Sequence, residues 1–149
     1  MSDGNQDSML LSSIMYTYYR KGLVCETEDV KLSSGEFAVL QLLRDEPQRH
    51  LLIGELTEKL QTTQPAVSQI VKRMEKKELI KKEVSREDKR NVYVCPTERG
   101  SELFEYFFGN SCSFTERVIR RMEPEHGREL LLLLQEFARC AEEEIREEN

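Results

Sequence analysis

A mainly α-helical fold with one small β-hairpin is predicted by three features of the sequence. Apolar residues recur at helical spacing through most of the chain, as in "GEFAVLQLL" and "AVSQIVKRM". After Leu79 the period shortens to two, in "IKKEV" and again in "NVYVCP". A charged turn, "SREDKR", separates those two runs, so they read as one hairpin with a basic tip. The 149 residues suffice for one ordinary domain with a real core, and no repeat or low-complexity segment interrupts them.

Residues 1–7 are polar and read as disordered, and a first helix is predicted over Ser8–Gly22. "CETEDVK" is a polar connection. The second helix starts near Ser34, because Ser33 and Glu36 form a capping box and Leu32 with Phe37 fits the accompanying staple. It carries Phe37, Leu40 and Leu43 inward and ends before Pro47. A short third helix places Ile53, Leu56 and Leu60 on one face. "QTT" is a tight connection in which Thr63 can cap the fourth helix, and Pro65 is tolerated in its first turn. That helix runs to about Glu78. In the hairpin, Val92 and Val94 alternate with Tyr93 and Cys95, and Pro96 is expected only at an edge. Thr97 can cap a long fifth helix, whose apolar side holds Phe104, Phe107, Phe108, Val118 and Met122 and which Gly109 and Asn110 can bend. Pro124 opens a sixth, with Leu130, Leu133, Leu134, Phe137, Ala141 and Ile145 as its stripe. Leu131 and Leu132 widen that stripe beyond one face.

Several function classes are disfavoured. No run of about 18 apolar residues could span a membrane, and the polar start does not resemble a signal peptide, so a cytoplasmic location is expected. Cys25, Cys95, Cys112 and Cys140 are widely spaced, and with only His50 and His126 beside them no metal site is expected. No Gly-rich phosphate loop or acid–base pair suggests an enzyme, and no cofactor is implied.

Charge points elsewhere. The net charge is −6, yet residues 64–99 hold ten Lys/Arg against six Asp/Glu. Positive charge is therefore focused in the middle of an acidic chain, and local charge decides where a polyanion docks. At about 100° per residue, Val67, Ile70, Val71 and Met74 fall on one side of the fourth helix. Pro65, Gln69, Lys72, Arg73 and Lys76 point the other way, with Ser68 on the flank. Amides and hydroxyls near a helix start can read base edges, and the cations beyond can neutralise phosphates. With the short helix before it, this is a helix-turn-helix. Arg86, Lys89 and Arg90 at the hairpin tip could enter an adjacent minor groove, with Asp88 supporting the turn or holding Arg90.

"LSSGEFAVLQLL" and "LLIGELTEKLQTTQPAVSQIVKRMEKKELIKKEVSREDKRNVYVCPTERG" together resemble the MarR family of transcriptional regulators. Asp88-x-Arg90, the alternating Val92 and Val94, and "TERG" match the family's wing signature, apart from Pro96 in an aliphatic position. The resemblance covers about Leu32–Gly100. It implies a winged helix-turn-helix lobe at about 32–100 and a helical dimerisation region at about 8–22 and 101–147. The implied protein is a homodimeric repressor on an inverted-repeat operator in double-stranded DNA. Base or backbone contacts would fall to Gln64, Pro65, Ser68, Gln69, Lys72 and Arg73, the minor-groove contact to Arg90, and its support to Asp88. The surplus leucine of the sixth helix argues for a dimer independently, unless the fifth helix covers it.

The family also implies relief by a small phenolic or anionic effector. Tyr16, Tyr18, Tyr19 and Arg20 are candidates for its pocket, although amphipathic packing explains them more simply. Ser12 stands where peroxide-sensing members place cysteine. Cys25 lies beside Glu26 and Glu28, which disfavour a thiolate, and Cys112 and Cys140 read as core or interface residues. Cys95 is the one thiol whose oxidation could disturb the wing. The competing reading is a winged-helix module that binds protein without reading DNA sequence, motivated by the acidic net charge.

Overall fold

The computed structural model describes residues 3–22, 26–85 and 88–147, and the side chains of all of these except 3–5 and 18–22. In chain order the elements are α1 (Asp3–Gly22), α2 (Ser34–Asp45), β1 (Leu51–Leu52), α3 (Ile53–Lys59), α4 (Gln64–Lys76), β2 (Ile80–Val84), β3 (Val92–Pro96), α5 (Glu98–Ile119) and α6 (Pro124–Glu147). The chain divides into two compact units, Met1–Gly109 and Asn110–Asn149.

In the first unit a core of Leu32, Phe37, Leu40, Leu43, Leu56, Val67, Val71, Met74, Leu79, Val94 and Phe104 joins α2, α3, α4, the sheet and α5. The capping box forms as expected: the Ser33 N–H donates to Glu36 Oε2 at 2.8 Å, and the Glu36 N–H donates to Ser33 Oγ at 3.3 Å. Leu32 and Phe37 are both buried in the core.

Four expectations are corrected. Helix α1 begins at Asp3, so residues 3–7 are helical. Thr63 holds the N-cap position of α4 without a side-chain hydrogen bond. Pro65, at the second helical position, has no N–H to offer it. Helix α4 ends at Lys76, earlier than expected. The Leu79 N–H bonds Met74 O and the Glu78 N–H bonds Glu75 O, each at 3.0 Å, with Glu78 at φ 59°. This is a Schellman ending built without the usual glycine. Fourth, "LL" before α3 is a strand: Leu51 pairs with Val94 and Leu52 with Tyr93, so the sheet has three antiparallel strands in the order β1-β3-β2. β3 is therefore central, and Pro96 is accepted because β1 ends short of it, leaving only Ile80 opposite.

The return from wing to helix is tightly specified. Thr97 Oγ1 donates to Glu78 O at 2.7 Å and accepts from the Gly100 N–H at 3.0 Å, capping α5 as expected. The Thr97 N–H donates to Leu79 O at 3.0 Å. A Cβ on Gly100 would lie 2.0 Å from that same Leu79 oxygen, so only glycine fits.

In the second unit, Gly127 at the start of α6 packs near Ile119 Cγ2, and α6 follows Pro124 as its first residue. Helix α5 passes through Gly109 and Asn110 without a break. Cys112 and Cys140 are exposed, so neither is a core residue of the chain. Leu130, Leu131, Leu132, Leu133, Leu134, Phe137 and Ile145 are exposed too, as is Val118 on α5. Helix α5 thus leaves the stripe of α6 uncovered. No described helix is long and apolar enough to cross a membrane.

Gly100→Ala is expected to destabilise the fold by about 2–4 kcal/mol, since backbone must move to admit the methyl group. Gly54→Ala, with nothing within 4 Å of the new Cβ, should be neutral or stabilising by up to about 1 kcal/mol. Urea unfolding of the two variants checks this, and equal effects would contradict it.

Candidate nucleic-acid interface

The outer face of α4 is laid out as its periodicity requires. Val67, Val71 and Met74 are buried, and Gln64, Pro65, Ser68, Gln69, Lys72, Arg73 and Lys76 are all exposed. Small and amide side chains occupy the first turns and cations the last. The turn between α3 and α4 is another Schellman ending, with the Gln61 N–H on Glu58 O, the Thr62 N–H on Thr57 O, and Gln61 at φ 48°.

The wing tip is closed by Asp88. Its Oδ1 accepts the Arg90 N–H at 3.0 Å and Arg90 Nε at 3.2 Å, and its Oδ2 accepts Arg90 Nη2 at 3.3 Å. These bonds, the backbone N–H first, hold its pKa below the usual aspartate value. The Arg90 side chain stays 90% exposed. Asp88 therefore orients an arginine without burying it. Lys89 is exposed beside it, and Arg86 lies outside the described residues. Gln64 at the start of α4 and Arg90 of the wing line one open groove of about 640 Å³. Its other wall carries Gly54, Glu55 and Glu58 of α3.

Arg73 is less free than the sequence suggested, because its Nε lies 3.8 Å from Glu36 Oε1. Glu36, expected only as a capping residue, is a buried carboxylate with a side chain 1% exposed. Lys77 Nζ donates to both its oxygens, at 2.9 and 2.8 Å. Sequence reading missed this pair, because 41 residues separate its partners and no local spacing marks it. Burial pushes the Glu36 pKa up. The Lys77 hydrogen bond, the Ser33 N–H and the Lys77 charge outweigh it, so the pKa ends below the usual glutamate value.

Of the candidate effector residues, Tyr16 is exposed in the chain, and the side chains of Tyr19 and Arg20 lie outside the described residues. Cys25 lies outside them as well. Cys95 is buried in the sheet, and burial followed by the nearby Glu83 charge pushes its thiol pKa up, which suppresses reactivity. His50 packs against Tyr93 with ring centroids 4.2 Å apart and ring planes tilted by 55°. Among the described residues no three His, Cys, Asp or Glu side chains stand together as metal ligands.

A short helix, a sharp turn, an exposed second helix and a β-hairpin wing define a winged helix-turn-helix lobe. Residues 29–91, which span the winged lobe from the chain entering α2 to the wing tip, match the model of the MarR family. The fold extends beyond that segment. MepR, a transcription regulator of the Staphylococcus aureus multidrug efflux pump MepA, is similar at 21% identity over 90% of this chain and 97% of its own, with a TM-score of 0.75. YusO from Bacillus subtilis is similar at 20% identity over 95% and 98%, with a TM-score of 0.68. MepR in complex with DNA aligns at 21% identity over 89% and 96%, with a TM-score of 0.70. A comparison with curated proteins finds no significant match.

The depressed Glu36 pKa has a stability consequence. Its ionised carboxylate stabilises the fold above the usual glutamate pKa, and that contribution is lost as pH falls through the lower folded-state value. Glu36→Gln is expected to cost on the order of 2 kcal/mol at neutral pH and progressively less as pH falls below the usual glutamate pKa. Thermal unfolding of both proteins across this range tests it, and a deficit that ignores pH would refute it.

Proposed function

We propose that the chain is a homodimeric, sequence-specific DNA-binding transcriptional regulator that represses by occupying an inverted-repeat operator. The observation that carries this reading is the fully exposed outer face of α4, with Gln64, Pro65, Ser68 and Gln69 ahead of Lys72 and Arg73, beside an exposed Arg90. That face suits a major groove, where amides and hydroxyls read base edges. A wing arginine held by a carboxylate suits the focused negative potential of a narrow minor groove. The MepR–DNA complex among the similar structures is consistent with this use of the fold.

The dimer is proposed from the uncovered apolar surface. Leu130–Leu134 and Phe137 on α6, together with Met9, Leu10, Leu11 and Ile14 on α1, are more exposed apolar side chains than a monomer ordinarily leaves in water. A two-fold dimer would set half-sites about one helical turn of DNA apart. Relief of repression by a small phenolic or anionic effector near α1 belongs to the same proposal, with Tyr16 as its one described candidate.

Selection from a random duplex pool at about 150 mM salt is expected to enrich an inverted repeat with half-sites about ten base pairs apart. Lys72→Ala should weaken binding similarly on all sequences and lower the salt slope by about one. Arg90→Ala should weaken binding while leaving the thermal midpoint unmoved, because its side chain is almost fully exposed. Salt-insensitive binding, or enrichment of nothing, would favour a protein-interaction module instead.

Leu133→Glu, which places a charge in the middle of the α6 stripe, should convert a dimer to a monomer in sedimentation velocity. A wild-type chain that sediments as a monomer at micromolar concentration would exclude the dimer.

A further inference from the structure

We infer that Glu36 is a positioning residue that fixes how α4 presents itself to DNA, through Lys77 and Arg73, and ties that presentation to the segment 26–33. The inference rests on the DNA-binding reading above.

The geometry is a closed set of bonds. Lys77 Nζ has three protons, and it makes three contacts: both Glu36 oxygens and the Lys31 carbonyl, the last at 2.7 Å. Lys77 is thus saturated by the protein and unavailable to phosphate, unlike Lys72 on the outer face. Lys31 lies in a short antiparallel bridge with Glu26. Between them the Thr27 N–H donates to Val30 O at 2.8 Å and the Val30 N–H donates to Thr27 Oγ1 at 3.1 Å, making the turn a defined object. Glu36 also takes the Ser33 N–H, so one carboxylate joins the start of α2, the end of α4 and, through Lys77, the chain entering α2.

A buried carboxylate constrains motion more than an apolar contact does. Methyl groups can slide past one another at small cost, whereas a buried charge that loses its cation is stranded in low dielectric. Turning α4 about its axis by one residue would swing Lys77 away by about 100°. The packing next to Glu36 is equally close, since a Cβ on Gly35 would meet Ile70 Cδ1 of α4 at 3.0 Å. Arg73, one turn before Lys77 and half exposed, turns its Nε toward the same carboxylate. Its Nη groups are then the ones presented to a phosphate.

The test uses Glu36→Gln, Lys77→Met and the double variant, which removes one charge of each sign and leaves the net charge at −6. Each single variant should lower the thermal midpoint, and the double should recover most of it, because no buried charge is left alone. Binding is read by fluorescence anisotropy on the selected duplex and on a random one at fixed salt. The double variant should bind the selected duplex about tenfold more weakly and lose preference over the random duplex by the same factor. In an Arg73→Ala background that loss should shrink, since Arg73 is the group being positioned. Affinity that returns with stability, or losses that simply add, would overturn the inference. If the double variant does not fold, Glu36→Asp keeps the charge but draws it back by one methylene. It should then weaken specific binding with a near-normal midpoint, and unchanged affinity would overturn the inference. If the wild type selects no sequence, the DNA-binding reading itself has failed. Positioning is then judged by amide exchange across residues 64–76, which should quicken in the double variant, and an unchanged pattern would reject it.

Discussion

The winged lobe depends on one place where two stretches of backbone touch, the Leu79 carbonyl against Gly100. Leu79 follows the end of α4, and Gly100 lies in the first turn of α5. Everything between them is the hairpin. Because Thr97 bonds both Glu78 O and Leu79 O, the wing leaves and returns at the same point, and its direction is fixed at its base. A wing whose base could shift would carry Arg90 with it. The same contact brings Leu79, Ile80 and Phe104 into one core, so a local steric rule and the burial of large side chains enforce the same geometry.

Charge is organised around that frame by burial. The exposed cations of α4 and the wing tip make a positive surface on an acidic chain, but the cation at the end of α4 is turned inward. Lys72 and Lys77 are five residues apart and have opposite fates because a carboxylate waits beneath only one of them. The contrast with Asp88 is instructive. Both carboxylates have lowered pKa values, yet Asp88 is solvent-accessible and orients an arginine that stays in water, while Glu36 is buried and immobilises a lysine. One arrangement keeps an arginine open to solvent, and the other ties up a lysine within the protein.

Much of this was legible in sequence, for reasons that differ by element. The capping box at Ser33 and Glu36, the apolar side of α4 and the Thr97 cap are short-range patterns, and local spacing encodes them fully. The end of α4 was misplaced because its left-handed residue is Glu78 rather than glycine, so the usual stop signal is missing. β1 was missed because two residues carry no period at all, and the strand exists only through its pairing with β3. The outer face of α4 was read correctly from its 100° period, whereas the roles of Glu36 and Lys77 were not, since 41 residues separate them and only the packing of α2 on α4 brings them together.

The attachments at the end of α4 make the helix asymmetric. Its end is held by a Schellman ending, the ion pair of half-buried Lys77 with buried Glu36, and the base of the wing. Its first turn has no side-chain cap, and Gln64 and Pro65 stand in the open, with Pro65 stiffening the backbone where a hydrogen bond is absent. A helix anchored at one end and presented at the other suits reading in a groove. In the proposed DNA-binding role, the anchored end would hold the helix in place, while Gln64, Ser68 and Gln69 would offer amide and hydroxyl groups whose rotamers can adjust to base edges. A rigid attachment at the reading end would spend side-chain donors on the protein itself. Placing the buried carboxylate beneath the last turn leaves Gln64, Ser68 and Gln69 for an outside partner.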